Sequence, residues 1–450
     1  MLDYVNAHGT GTVLNDAMEA SALSQALGDE VRRIPVSSCK GQIGHTLGAS
    51  GAIEAVVSVL AVARGEIPPT GGLEEPDAAC ELVHVMGRGR RAPVRAALSS
   101  SFGFGGTDTV LVFTRTRLGR ALDSASASRR VVVTGAAIIG PLGLSRSRAS
   151  REYLTPGPSP LPDMPPFEPN EYFDAARARR LDRPARLLTL ALQQALAEAS
   201  PSEGSTLDYG AIGGSAYGSV DASAAFVQRI FEKGARLAVP MTFPNLVPSS
   251  PVGHAAIYLG LQGPVLATAD LGITGESAVV LACELIEAGE SSDMLAGSVE
   301  ERSLITERVL GPVCAGTSRW RGVRTEGATA VALEDEEYAL ARGATPLCRV
   351  AHFATGRGVF AGEDPVPHPI GPRSLVVVAR RDEETLLAVS RTAWAGIDVI
   401  EVAARAGNHE SVGGFAVACA AGALASREAD EILVVGVAPD RWALLVLTVP

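Results

Sequence analysis

The sequence predicts an α/β protein built from several domains, and three observations carry that expectation. Short β-branched and aliphatic runs, such as Val131-Val132-Val133 and Thr109-Val110-Leu111-Val112-Phe113, alternate with longer segments of helical spacing. Glycine and proline punctuate the junctions between them. A length of 450 residues suits about three domains at roughly 150 residues each. Strands that alternate with helices favour layered α/β packing.

Composition narrows the function classes. Hydrophobic content of 46% and charged content of 20% describe a globular chain. A formal net charge of -11 argues against nucleic acid as partner, because phosphate binding needs a cationic surface. No basic-then-apolar leader opens the chain, and no uninterrupted run of about 18 apolar residues appears. No membrane span and a cytoplasmic location are therefore expected. Cysteines at 39, 80, 283, 314, 348 and 419 form no CxxC pair, and the histidines are scattered. Reduced, packed thiols and no metal site are the expectation.

The elements follow in order. Leu2-Asp3-Tyr4-Val5 reads as a buried strand; because a core strand needs neighbours, the chain reads as cut at its front. Residues 16–28 have helical spacing (Ala17, Ala20, Leu23, Leu27), with Asp16 near the start and Gly28 near the end. An apolar helix follows from Gly44, rich in small residues at first, with Gly65 as its stop and Pro68-Pro69 beyond. A glycine-rich turn at Phe102 to Gly106 precedes a closing strand, and residues 117–129 read as a linker. From Arg130 a new unit begins with a valine-rich strand. It continues through a proline-rich loop at 155–169, a helix at 177–199 and a strand at 209–214. Val265 to Ala269 reads as a strand, Gly275 to Ala288 as a helix, and Asp398 to Val402 as a late strand.

The stretch from His8 to His45 holds the chemistry. It contains His8-Gly9-Thr10-Gly11-Thr12, Asp16, Glu19, Lys40 and Gly44-His45. Two imidazoles, an ammonium and two carboxylates among glycines suit stabilising negative charge on a carbonyl oxygen. They supply no strong nucleophile.

With Pro68-Pro69-Thr70 and Ser101-Phe102-Gly103-Phe104-Gly105-Gly106-Thr107, these pieces resemble the β-ketoacyl-acyl-carrier-protein synthases, the condensing enzymes of fatty-acid and polyketide biosynthesis. The resemblance implies a thiolase-like, layered αβαβα architecture. It implies that residues 1–116 are the C-terminal half of a synthase, 130–310 an N-terminal half, and 322–450 a degenerate C-terminal half. It further implies His8 and His45 as donors to a malonyl thioester oxygen, with Lys40 paired to Glu19 holding their loop and Asp16 in support. Thr10 and Thr12 resemble hydroxyls that bind a phosphopantetheine arm. Phe102, Phe104 and Gly105 resemble an acyl gate. No cofactor is implied, since phosphopantetheine arrives on the acyl carrier protein. That carrier, malonyl and acyl thioesters, and a second synthase unit in a dimer or pseudo-dimer are the implied partners. The arginines at 88–95 and 177–186 are candidate docking points for the acidic carrier.

In the second unit the family's nucleophilic cysteine position falls on Gly272, which has no side chain to acylate. Ala403 is read at the first histidine, Gly407-Asn408-His409 as a worn Gly-His pair, and Gly436-Val437-Ala438-Pro439 in place of the glycine-rich gate. This unit resembles the nucleophile-less partner of some polyketide synthases, the chain-length factor, although such partners more often carry glutamine at the elbow. Cys39 and Cys283 are read as packed thiols rather than replacements. The expected activity is condensation by a cysteine supplied upstream of Met1 or by a partner chain. The alternative is a non-catalytic partner subunit.

Overall fold

A computed structural model describes residues 2–103, 108–116, 129–159, 163–165, 169–199, 208–314, 323–362, 366–369 and 371–450, and they form two units. The first is an open sheet. Its central strand β1 (Tyr4–Asn6) is fully buried and is followed by α1 (Val13–Leu27), β2 (Pro35–Ser37), the single turn α2 (Lys40–Ile43) and α3 (Ser50–Arg64). Strands β3 (Val83–His84), β4 (Ala96–Phe102) and β5 (Asp108–Thr114) complete it. The order is β3-β2-β1-β4-β5, parallel except for β5.

Helix α3 is bounded at Gly65, whose φ of 68° is the left-handed stop expected from sequence. The predicted helix start at Gly44 is displaced, because a 3-10 turn at Leu47–Ala49 interrupts the path. The segment Leu47–Arg64 is long and apolar enough to cross a membrane by length and composition alone. Its Ser50, Glu54 and Ser58 are nevertheless buried at steps of four, on one helical face.

The second unit opens with β6 (Val131–Gly140), ten residues all buried. Next come α4 (Arg183–Ala199), β7 (Gly210–Gly214), α5 (Ser250–Leu259), β8 (Val265–Thr268), α6 (Thr274–Glu287), β9 (Asp293–Glu300) and β10 (Gly327–Asp335). The remainder is β11 (Cys348–Arg357), β12 (Ser374–Val378), α7 (Glu383–Ser390), β13 (Val399–Glu401), α8 (Ala403–Ala406), α9 (Val412–Ala425), β14 (Glu431–Ala438) and β15 (Arg441–Thr448). The strand order is β8-β7-β9-β10-β6-β11-β15-β14-β12-β13. Pairing of β6 with β11 joins two half-sheets. Helices α6 and α9 touch strands of both halves, α4 and α5 pack only on the first half, and α7 packs on β14. The layers therefore run α-β-α-β-α. Central α9 buries every residue from Val412 to Leu424, as its all-apolar sequence requires.

One strand pattern recurs three times. In β2-β1-β4-β5, β8-β7-β9-β10 and β13-β12-β14-β15, three parallel strands end on one antiparallel strand. In each, a helix follows the second strand.

Close approach dictates small residues in the central layer. A Cβ on Gly275 would sit 2.1 Å from Gly414 N, and one on Gly422 would sit 2.1 Å from Ser147 O. Helix propensity alone makes Gly422→Ala stabilising by about 1 kcal/mol. Overpacking against a backbone oxygen outweighs that, at about 1–3 kcal/mol or more. Gly422→Ala is expected to lower the denaturant midpoint; a raised midpoint would overturn the packing argument.

Candidate active site

The first unit brings the two sequence-predicted imidazoles together. His8 leaves the end of β1 and His45 follows α2 at Gly44, so both come from the ends of adjacent parallel strands. Their ring centroids are 5.6 Å apart and edge to face, and Phe102 lies 5.5 Å from His8. Lys40 Nζ is 3.3 Å from His8 Nδ1. An ammonium can only donate, so Nδ1 accepts and the His8 proton resides on Nε2. The backbone N–H of Leu47 donates to His45 Nδ1 at 3.1 Å, and Ser50 Oγ is 3.0 Å away. His45 therefore also carries its proton on Nε2. Leu47 adopts a φ of 52°, uncommon for a residue with a side chain, and this turn delivers that N–H.

Both rings are neutral near neutral pH. Burial, then the Lys40 charge, then His45, pushes His8 down to about 4. His45 is lowered by burial and by Lys40. Two neutral imidazoles with Nε2–H free to donate can stabilise an oxyanion.

The expected Lys40–Glu19 pair is not formed. Lys40 instead pairs with Glu54 of α3, both side chains buried to within 5% of full cover. Glu19 Oε1 accepts from His8 N at 2.8 Å and Ser100 Oγ at 2.6 Å, and its Oε2 accepts from Gly9 N at 2.9 Å. Glu19 thus fixes the histidine loop through its backbone, whereas Glu54 holds the lysine. The physical reason is helical: Glu54 sits four residues after Ser50 on the face turned to the sheet. A lone carboxylate in an apolar helix, in step with Ser50 and Ser58, was the available signal for Glu54.

Other predicted residues line or border the site. A cavity of about 580 Å³ is lined by Gly9, Thr10, Thr12, Asp16, Lys40 and His45, among others. Thr10 and Thr12 hydroxyls lie 2.9 Å apart and exposed, and Asp16 accepts from Gly11 N at 3.2 Å. Gly9 has a φ of 42°, and a Cβ there would meet Ser38 Cβ at 2.6 Å. Phe104 and Gly105 lie outside the described residues. Cys39 is buried, and burial raises its thiol pKa, so it is no thiolate. Of the arginines, Arg91, Arg95 and Arg183 are committed to Glu66, Asp3 and Glu326, while Arg88, Arg90, Arg179 and Arg180 are exposed.

The second unit repeats the scaffold without the chemistry. Asn6 pairs with Ser37 on β2, and Val377 pairs with Ile400 on β13. Turns α2 and α8 both end on a glycine with φ 75°, Gly44 and Gly407. Counting from these marks, the His8 position is Ala379, the Lys40 position is Ala403 and the His45 position is Asn408. The expectation that Ala403 stood at the first histidine is thereby corrected: turn α8 lies one strand over. His409 is one residue past the histidine position, fully buried against Phe415 at 5.2 Å. Arg380 donates to Asn408 Oδ1 and, at 2.6 Å, to His409 O. Gly272 sits between β8 and α6 with φ 91°. Glu276 on α6 is fully buried, and loss of hydration pushes its carboxyl up to about 7, with Arg380 opposing.

Two outcomes are expected. Lys40→Met or Glu54→Gln alone strands a buried partner and costs about 3–5 kcal/mol, whereas the double variant costs much less than the sum; additive losses in denaturant unfolding would refute the coupling. A carboxyl raised on folding stabilises fully below the ordinary carboxyl range, and that stability is lost as pH rises through the folded value. Relative to Glu276→Gln, the protein should lose stability from about pH 4.5 to 7 and then level off, a profile that pH-dependent unfolding can check.

Comparisons with known proteins follow the same division. Residues 1–74 match the model of the β-ketoacyl synthase C-terminal domain, and residues 160–315 that of the β-ketoacyl synthase N-terminal domain. The chain is similar to a 3-oxoacyl-[acyl-carrier-protein] synthase 2 of Synechocystis sp., 51% identical over 113 residues, or 25% of this chain and 27% of that one. It is similar to an actinorhodin polyketide putative β-ketoacyl synthase 1 of Streptomyces coelicolor, 44% identical over 111 residues, 25% of this chain and 24% of that one. The chain thus spans about a quarter of the length of these curated relatives. In fold it is similar to the PfaC keto synthase–chain length factor, with a TM-score of 0.74 at 15% identity over 99% of this chain and 57% of that one. A type II PKS acyl-carrier protein–ketosynthase complex gives 0.61 at 18% identity, over 72% of this chain and 100% of that one. The fold is thiolase-like layered α/β. With C-terminal synthase sequence ahead of N-terminal synthase sequence on one polypeptide, this chain belongs to the β-ketoacyl synthase family.

Proposed function

We propose that residues 1–116 are the decarboxylating half of a β-ketoacyl synthase of fatty-acid or polyketide biosynthesis. The observation that carries this reading is the pair of neutral imidazoles whose Nδ1 atoms are occupied by Lys40 and Leu47 N–H. A malonyl thioester, delivered by an acyl carrier protein, would present its carbonyl oxygen to the two Nε2–H groups. The carbon–carbon bond to the carboxylate breaks, carbon dioxide leaves, and the electron pair becomes an enolate stabilised by those donors. The enolate carbon then attacks an acyl thioester, expelling the thiolate. The acyl-bearing cysteine is supplied by another synthase N-terminal half. The phosphopantetheine arm lies along Thr10 and Thr12, and a cytoplasmic setting accompanies this role.

Residues 130–450 act in this reading as a non-catalytic, chain-length-factor-like partner in a pseudo-dimer. Support comes from Gly272, Ala379, Ala403 and Asn408, which among the described residues put no thiol at the elbow and no imidazole or ammonium at the positions of His8, Lys40 and His45.

The test uses labelled malonyl- and acyl-carrier protein with the 450-residue chain. Malonyl decarboxylation is expected without 3-oxoacyl product, falling about 10²–10³-fold in His8→Ala or His45→Ala. Gly272→Cys should not create condensation. A covalent acyl label on any native cysteine together with 3-oxoacyl product, or histidine variants of unchanged rate, would overturn the reading.

A further inference from the structure

The second unit differs from the first at one more place, the connection that follows the third parallel strand. In the first unit the pair Phe102–Asp108 brackets five residues between β4 and β5. In the second, Ala438 pairs directly with Arg441, so only Pro439 and Asp440 join β14 to β15. A connection of two residues, one of them proline with fixed φ, has no slack to swing.

That short hairpin rests on the elbow. A Cβ built on Gly272 would lie 3.7 Å from Ala438 Cβ and 4.0 Å from Val437 O. Ile273, the next elbow residue, packs with Ala438 and Ala443 in a buried cluster. Arg441, first residue of β15, pairs through Nη1 with Asp270 Oδ1, two residues before Gly272. Arg357 of β11 stands directly opposite Arg441 in the sheet. Like charges placed so are unfavourable, and Asp270 supplies the countercharge. A cavity of about 380 Å³ is lined by Asp270, Arg357 and Arg441 together with Glu284 of α6.

We propose that the β14–β15 hairpin is a latched cover on the elbow of the second unit, fastened by the Arg441–Asp270 ion pair and the Ile273–Ala438–Ala443 cluster. The elbow is closed as well as lacking a nucleophile. The inference concerns the second unit's conformation alone and does not depend on activity in the first.

Hydrogen–deuterium exchange on the full chain tests the latch, reading amides of 270–273 and 436–443 against strand 131–140 as internal control. Asp270→Asn and Arg441→Gln should each speed exchange at both segments about two- to fivefold, the scale of a partly exposed ion pair. Because both remove the same interaction, the double variant should be no faster than the faster single. Unchanged singles, or effects that multiply in the double, overturn the proposal. Raising sodium chloride on the unmodified protein gives a second readout. Screening should accelerate the same segments and spare the control, and insensitivity to salt overturns the ion pair as fastener.

Discussion

The buried ammonium of Lys40 is the constraint around which the first unit is arranged. A charge so deeply covered requires a carboxylate, and Glu54 of α3 provides it. Once held there, the ammonium can spare a proton toward His8 Nδ1, which sets that ring's tautomer and adds to burial, the larger cause, in keeping it neutral. The short turn α2 that carries Lys40 also ends on Gly44 and so aims His45. One ion pair therefore couples the central helix to both imidazoles. Glu19 acts separately, fastening the His8 backbone from α1.

The second unit shows what remains when those side chains are gone. Its backbone retains the strand pairing, the one-turn helix and the left-handed glycine, yet alanine replaces both the first histidine and the lysine. Val417 then stands where Glu54 would, which is consistent: without the ammonium, a buried carboxylate has no partner. Arg380 occupies the vacated ground by bonding to Asn408 and to the His409 carbonyl. The polar content has changed partners while the central helix α9 has become wholly apolar. Backbone geometry here is maintained by sheet pairing and helix packing, neither of which needs the histidine and lysine side chains.

Family and site composition were legible in the linear sequence because they rest on local motifs. His8-Gly9-Thr10-Gly11-Thr12, Lys40 and Gly44-His45 lie within 38 residues, and glycines mark the turns that present them. That Gly272 lies in the turn between a strand and a helix was legible too, by counting back from Gly275. Glu54 was not, since its role depends on which face of α3 meets the sheet. The assignment of Ala403 went astray for a related reason: after a decayed motif, only strand register tells which of two adjacent strand ends a residue occupies.

By itself the sequence determined the layered α/β class, the convergence of histidine and lysine chemistry near the front, and a glycine at the turn before the helix behind. Each of these follows from residue identity and short-range spacing. Tertiary structure alone decided that Lys40 is neutralised by Glu54, that Ala379 stands in the first-histidine position, and that Arg441 reaches Asp270. Those partners are separated by many residues, and only the pairing of strands and the facing of helices brings them within reach.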